Sequence, residues 1–119
     1  MKRWLAAFAN SGRAFAHLFR HETAFREEAI AVGLSVPAAW MISGTTGGML
    51  LLVAMALLVL LVETLNTGIE KACDTITTEF HETIRIAKDC GSLAVLISLV
   101  IAGGAWAWAL WRFFAGAAI

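Results

Sequence analysis

The stretch from Glu63 to Ser92, ETLNTGIEKACDTITTEFHETIRIAKDCGS, decides how the rest of the chain is interpreted. It follows an apolar run from Gly47 to Val62 and precedes a second apolar run that begins at Leu93. Between these runs lie six of the nine acidic residues of the chain: Glu63, Glu70, Asp74, Glu79, Glu82 and Asp89. Ionisable groups are costly near a bilayer, so a charge cluster between two membrane-length segments predicts a functional site at the membrane boundary.

Helical spacing places three carboxylates of this stretch on one face. At 100° per residue, Glu63, Glu70 and Asp74 fall within about 40° of one another. Asn66 and Thr67 flank the same arc. Like charges at these spacings repel, whereas a hard cation such as Mg²⁺ binds carboxylate oxygens and turns the repulsion into attraction. A solvated helix face is the alternative explanation, and the location of Glu63 directly at the end of an apolar run argues against it.

The composition indicates a single membrane-embedded domain over residues 1–119. Hydrophobic residues make up 60% of the chain, and the mean hydropathy of +0.77 exceeds that of soluble domains. The formal net charge of +0 gives no reason to expect a nucleic-acid partner. Cys73 and Cys90 form no metal-binding pattern, so we expect structural thiols that a cytoplasmic location keeps reduced.

The N-terminal residues 1–26 are predicted to form an amphipathic helix that lies on the membrane surface. An apolar stripe begins with Trp4 and Phe8 and recurs at helical spacing. The Asn10–Gly12 stretch allows a break in this helix. A secretory signal is the alternative, but Arg13 interrupts its short apolar run.

Three transmembrane helices are predicted after the surface helix, at residues 28–46, 47–69 and 91–115. The apolar part of the first, Ile30–Ser43, is short for a span and must be extended by residues on either side, and Pro37 in its interior predicts a kink. The glycine-rich stretch from Gly44 to Gly48 is predicted to be a turn, because it lacks the lysine of a phosphate-binding loop. The fold class is therefore an all-α membrane protein.

Lysine and arginine residues set the predicted topology. Five precede the first predicted span, none lies in the first turn, and three lie between the second and third spans. The positive-inside rule then places the N-terminus and the charged stretch in the cytoplasm and the C-terminus outside.

The charged stretch resembles the signature of a known family. The pattern Glu-x-x-Asn-Ser/Thr-small-apolar-Glu-x-x-x-Asp is matched by Glu63, Asn66, Thr67, Gly68, Ile69, Glu70 and Asp74. This pattern is similar to the signature of the prokaryotic diacylglycerol kinases, which are small integral membrane kinases. Further matching blocks are Glu22–Glu28, Glu79–Glu82 and Ala87–Ser92, and the similarity runs without gaps over nearly the whole chain.

The resemblance implies a homotrimeric helical bundle that phosphorylates diacylglycerol to phosphatidic acid with ATP. It implies a bacterial inner-membrane location, a cytoplasmic N-terminus and active site, and a periplasmic C-terminus. Its partners would be ATP, diacylglycerol, membrane lipid and further copies of the chain, with Mg²⁺ as the cofactor. Glu63 would be the general base, Asn66 would position Glu63 or a phosphate, and Glu22 and Glu70 would hold Mg²⁺.

The resemblance also implies two sets of binding residues. The ATP-binding set is Arg3, Glu22, Glu70, Glu79, Phe80, His81, Lys88 and Asp89. The set along the lipid-acceptor channel is Ala24, Phe25, Arg26, Glu28, Glu63, Ser92, Trp106 and Trp111.

Two alternatives to this function remain. Undecaprenol kinase is a relative with the same scaffold, although the Lys88–Ser92 block resembles the diacylglycerol branch more closely. A non-enzymatic membrane scaffold or a small transporter is the other alternative. A transporter would be expected to carry charges midway along a span, whereas here they gather at one end.

Overall fold

The computed structural model describes residues 2–116 and contains four α-helices in this part of the chain. In chain order these are α1 (Lys2–His21), α2 (Thr23–Ser43), α3 (Thr46–Ile76) and α4 (Glu82–Phe114). No strand occurs among the described residues. The prediction of an all-α protein is confirmed.

The junction between α1 and α2 lies at Glu22. α1 runs unbroken through Asn10–Gly12, so the break that the sequence allowed there does not form. It ends immediately before Glu22, whose backbone is extended with φ −116° and ψ 109°. The guanidinium of Arg26 donates a hydrogen bond of 2.9 Å to the carbonyl oxygen of Phe19. This bond satisfies one of the carbonyl groups that the end of α1 leaves without a helical partner.

The connection between α2 and α3 is a tight turn. α2 continues past Pro37 to Ser43 and is followed by Gly44 at φ 71°, a left-handed conformation that favours glycine. The side chain of Thr45 accepts a hydrogen bond of 3.0 Å from the backbone N–H of Gly48 and caps α3. The turn is shorter than the predicted Gly44–Gly48 stretch, because α3 already begins at Thr46.

Two of the described helices, α3 and α4, are long and apolar enough to cross a membrane. They contain 31 and 33 residues, and an 18-residue stretch within each has a mean hydropathy of 2.5 and 2.1, respectively. Many of their large apolar side chains are exposed, as lipid-facing side chains would be. α2 carries Arg26, Glu27 and Glu28 in its first turns, and a third span through α2 stays a prediction.

Helix α3 is the central element, because it packs against both α2 and α4. At the end near the α2–α3 turn, Ala39, Leu52 and Ala109 form a buried apolar cluster. Trp106 packs on this cluster, and its indole N–H donates a hydrogen bond of 3.0 Å to the carbonyl oxygen of Leu52. The other half of α3 carries the charged face and lies against the starts of α2 and α4, which it contacts through the ion pairs Lys71–Glu22 and Lys88–Asp74.

Candidate functional site

The predicted carboxylate face of α3 is partly enclosed by its neighbours. Glu63 and Glu70 are half-buried, whereas Asn66 and Thr67 are only 8% and 4% exposed. The side-chain N–H of Asn66 donates a hydrogen bond of 3.4 Å to Glu70 Oε1. The side-chain oxygen of Asn66 is buried without a hydrogen-bond partner among residues 2–116. A polar amide thus lies inside a helix contact with one acceptor unused, which is costly unless a ligand or water completes it.

Two further carboxylates, Glu22 and Glu28, approach from the start of α2. The negative charges of Glu28 and Glu63 repel each other, and Glu63 is similarly coupled to Glu70 and Glu22. Glu28 Oε2 is buried without a hydrogen-bond partner in the described part of the chain. Glu22 Oε1 forms an ion pair of 3.0 Å with Lys71 Nζ on α3. The structure therefore brings four of the six predicted acidic site residues into one electrostatic cluster at the α2–α3 contact.

The oxygen atoms in this cluster are of the type that binds a magnesium ion. Within residues 2–116, no three acidic, histidine or cysteine side chains are arranged to hold a metal by themselves. The carboxylates are nevertheless hard oxygen ligands of the type that magnesium prefers. A cation would also relieve the repulsion among the carboxylates. The Lys71 ammonium group already occupies one side of Glu22, so a metal at Glu22 would have to replace that contact.

A cavity with charged side chains in its lining lies at the α3–α4 connection. It has a volume of about 390 Å³ and is lined by five residues of the predicted ATP-binding set, together with Arg85. The five are Glu79, Phe80, His81, Lys88 and Asp89. Lys88 Nζ forms an ion pair of 2.8 Å with Asp74 on α3. This pair links the cavity to the carboxylate face of α3.

Sequence reasoning missed two cations near these groups. The Arg85 guanidinium bonds to Glu82 and forms an ion pair of 2.7 Å with Asp89. These partners lie three and four residues away, so helical spacing would have revealed the contacts. The Lys71–Glu22 pair joins separate elements, and no local sequence pattern predicts it.

An elongated apolar groove runs between α2, α3 and α4. It has a volume of about 500 Å³, and both Glu28 and Trp106 of the predicted lipid-acceptor set line it. Glu28 lies at the start of α2, far from the α2–α3 turn, whereas Trp106 packs against α3 close to that turn. The wall between them includes Val32, Val59 and Ala102. The groove therefore connects the carboxylate cluster with the apolar end of the bundle.

Other residues of the predicted lipid-acceptor set lie outside this groove. Phe25 is buried against Phe15, with ring centroids 5.4 Å apart. Arg26 caps α1, as described above. Trp111 is exposed and packs on Trp108 with ring centroids 5.5 Å apart. Ala24 and Ser92 are also exposed and do not line the groove.

Arg3, from the predicted ATP-binding set, lies at the opposite end of α1 from Glu22, another member of that set. It lies in the first turn of α1, and its guanidinium is 5.9 Å from the centroid of the Trp4 ring. At 1.5 Å per residue, α1 separates Arg3 from Glu22 by roughly 28 Å.

Comparison with known proteins identifies the family. The family model for prokaryotic diacylglycerol kinase matches residues 9–110. The chain belongs to the prokaryotic diacylglycerol kinase family. The diacylglycerol kinase of Escherichia coli strain K12 is 42% identical over 94 residues, which cover 79% of this chain and 77% of that protein. The diacylglycerol kinase of Pseudomonas aeruginosa strain PAO1 is 36% identical over 107 residues, which cover 90% and 87% of the two chains.

A third member of the family gives the same result. The diacylglycerol kinase of Haemophilus influenzae strain Rd is 39% identical over 88 residues, which cover 74% of this chain and 75% of that protein. Family membership confirms the predicted resemblance and the predicted enzyme class. The chain is a kinase of lipid metabolism, and its reaction depends in general on a nucleotide and a metal. Membership also excludes the non-enzymatic scaffold and the transporter, and with the two apolar helices it indicates a membrane protein.

Proposed function

We propose that this protein transfers the γ-phosphoryl group of ATP to the free hydroxyl group of diacylglycerol, giving phosphatidic acid and ADP. The observation that carries the proposal is the position of the carboxylate cluster at one end of the apolar groove. Glu28 lines that groove, and its charge is coupled to Glu63. This arrangement suits a reaction between a water-soluble nucleotide and an alcohol whose acyl chains occupy apolar space. The relatives are diacylglycerol kinases, and their activity suggests the substrate class.

The nucleotide would bind at the cavity between α3 and α4. Phosphoryl transfer requires mainly positioning and neutralisation of phosphate charge. Lys88 supplies a cation for the phosphates, and Asp74 keeps its ammonium group directed toward α3. Glu79, Phe80 and His81 would contact the rest of the nucleotide. Mg²⁺ would supply charge neutralisation when bound.

The other residues proposed to serve the nucleotide lie on the neighbouring face. Glu22 and Glu70 would hold the magnesium ion with their carboxylate oxygens. Asn66 donates a hydrogen bond to Glu70 and so restricts the position of that carboxylate.

We assign the role of general base to Glu63. Its charge is coupled both to Glu28, which lines the groove, and to Glu70 on the nucleotide side. Glu63 would accept the hydroxyl proton while the substrate oxygen forms a bond to the γ-phosphorus and the bond to the β-phosphate oxygen breaks. The leaving group is ADP, so the atoms and charges of the reaction balance.

The lipid substrate would lie along the groove with its hydroxyl group at the carboxylate end. The unpartnered oxygen of Glu28 can accept a hydrogen bond from the lipid headgroup. The apolar wall toward Trp106 would contact an acyl chain.

We further propose that the protein works as a homotrimer in the bacterial inner membrane. The exposed apolar surfaces of α3 and α4 need a cover, which lipid and neighbouring copies would provide. A neighbouring copy would also explain how Arg3, Ser92 and Trp111 reach a site that they do not reach within one chain. The N-terminus and the site would face the cytoplasm.

The deciding experiment is a lipid-substrate assay with purified protein in mixed micelles. Radiolabelled ATP and Mg²⁺ are supplied with either diacylglycerol or undecaprenol at equal mole fractions. We expect strong labelling of diacylglycerol, weak labelling of undecaprenol, and loss of both with excess chelator. Equal labelling, or stronger labelling of undecaprenol, would identify an undecaprenol kinase instead.

A further inference from the structure

Gly91 of α4 occupies an unusual place in the contact between α3 and α4. It is buried against Asn66, and a Cβ atom built on Gly91 would overlap the side-chain oxygen of Asn66. The same Cβ atom would lie only 3.1 Å from Asn66 Cγ, and its three nearest heavy atoms all belong to Asn66. By contrast, a Cβ atom on Gly103 or Gly104 of the same helix would meet nothing within 4 Å. The contact is therefore specific to Gly91 and is made by a single side chain.

The amide of Asn66 has little else to fix its orientation. Its oxygen has no hydrogen-bond partner among the described residues. Its N–H group donates to Glu70 at 3.4 Å, which is longer than a strong hydrogen bond. A weak bond of this kind is lost when its donor moves by a few tenths of an ångström. The space that Gly91 leaves is thus what allows the amide to point toward Glu70.

We propose that Gly91 is a positioning residue of the phosphoryl-transfer site. Because Gly91 has no side chain, the Asn66 amide fits between α3 and α4 and holds the Glu70 carboxylate in place. A methyl group at position 91 would push the amide out of this space and release Glu70. This inference rests on the proposed role of Glu70 as a magnesium ligand, and it adds a residue that acts through Asn66 without contacting a substrate.

The test is a double-mutant cycle of Gly91→Ala and Asn66→Ala in the full-length protein in micelles. Asn66→Ala removes both atoms that the new methyl group would approach most closely. We expect each single variant to lose about tenfold in kcat, because small misplacements at a reacting centre are costly. We expect the double variant to be no less active than Asn66→Ala alone, because both changes remove the same contact. Gly104→Ala is the matched control and should leave kcat unchanged.

A second readout separates positioning from simple damage to the fold. Alanine favours a helix over glycine, so any fall in melting temperature in Gly91→Ala comes from the clash with Asn66. The double variant should recover that melting temperature while kcat stays low. If kcat returned to the wild-type value together with the melting temperature, Gly91 would have only a structural role. A loss of kcat in the double variant equal to the product of the two single losses would also overturn the proposal.

A third readout is independent of turnover. Binding of Mn²⁺ to the free enzyme is measured by electron paramagnetic resonance. We expect the dissociation constant to rise severalfold in both single variants and to match the wild type in Gly104→Ala. Unchanged Mn²⁺ affinity in Gly91→Ala would contradict the inference. If wild-type protein failed to phosphorylate diacylglycerol, the proposed function would be wrong, while the Mn²⁺ affinities and melting temperatures would still decide the role of Gly91.

Discussion

The two ends of α3 make contrasting contacts with the same neighbours. Near the α2–α3 turn, Leu52 is buried with Ala39 and Ala109, and the polar N–H of Trp106 is satisfied by a carbonyl oxygen. Near the α3–α4 connection, Asn66 is buried and Glu28 is half-buried, and each has an oxygen without a hydrogen-bond partner in the described residues. The first end is completed by the chain itself, whereas the second leaves groups that a ligand can complete.

This contrast separates stability from chemistry along one helix. Apolar packing without unsatisfied groups contributes to the folded state and offers nothing to a substrate. Coupled carboxylates contribute repulsion to the folded state and become favourable when a cation binds. We therefore expect substitutions at the Leu52 end to change unfolding, and substitutions at the Glu63 end to change turnover.

The largest effect is expected for Glu63→Gln, which removes the proposed base and keeps the size of the side chain. We expect kcat to fall by about 10²- to 10⁴-fold, with a melting temperature no lower than that of the wild type. The measurement is the micelle assay together with thermal unfolding. Glu82→Gln is the control, because Glu82 is exposed and pairs with Arg85 on the same helix. Near-normal turnover of Glu63→Gln would show that another group accepts the proton.

The next largest effect is expected at the opposite end of α3, near the α2–α3 turn. Leu52→Ala should lower the free energy of unfolding by about 2–5 kcal/mol, because Leu52 is 2% exposed and its removal leaves a cavity. The kcat of the protein that remains folded should be unchanged. Leu51→Ala is the matched control, since Leu51 is 52% exposed and fills no interior space. A loss of kcat in Leu52→Ala without loss of stability would break the division between the two ends.

A smaller effect is expected at the link between the nucleotide cavity and α3. Asp74→Asn leaves the Lys88 ammonium without its 2.8 Å partner. Exposed ion pairs contribute little, so we expect KM for ATP to rise by no more than about fivefold and kcat to change little. Initial rates at varied ATP concentration give both values. A large fall in kcat at saturating ATP would instead place Asp74 among the groups that act on the reacting phosphate.

The smallest effect is expected for Lys71→Met, which removes the ammonium group from Glu22. The Lys71 side chain is 58% exposed, so solvent screens the pair and stability should barely change. We expect the Mg²⁺ concentration for half-maximal activity to fall by about twofold, because the metal no longer competes with the ammonium group. Lys2→Met serves as the charge-matched control. A higher Mg²⁺ requirement in Lys71→Met would mean that Lys71 assists the metal.

Much of the fold could be predicted from patterns that act locally. The turn at Gly44 follows from a glycine-rich stretch between apolar runs, and the common face of Glu63 and Glu70 follows from helical spacing. The break at Glu22 could not be predicted, because no glycine or proline stands there. It is stabilised by Arg26, which reaches back to a carbonyl group of α1. Such a contact exists only after the chain has folded.

The candidate site divides in the same way. The groups around the α3–α4 connection are close in sequence, and their common cavity could be anticipated from the Glu79–Asp89 blocks. The partners of Glu22 and the close approach of Gly91 to Asn66 depend on how α2 and α4 pack on α3. Spacing within one helix carries no information about that packing. Lys71 and Gly91, which make their contacts across helices, were therefore missed for this reason.

Because the connection between α2 and α3 is short, the lengths of these two helices determine how far their carboxylates lie from the turn. Glu28 lies 15 residues before the end of α2, and Glu63 lies 17 residues after the start of α3. At 1.5 Å per residue, both stand roughly 22–26 Å from the same turn. The two carboxylates thus lie at nearly equal distances from the same turn. Each distance is much of the thickness of a hydrocarbon layer. Adding one helical turn to only one of the two helices would offset the carboxylates by about 5.4 Å. Their alignment therefore constrains the lengths of both helices together.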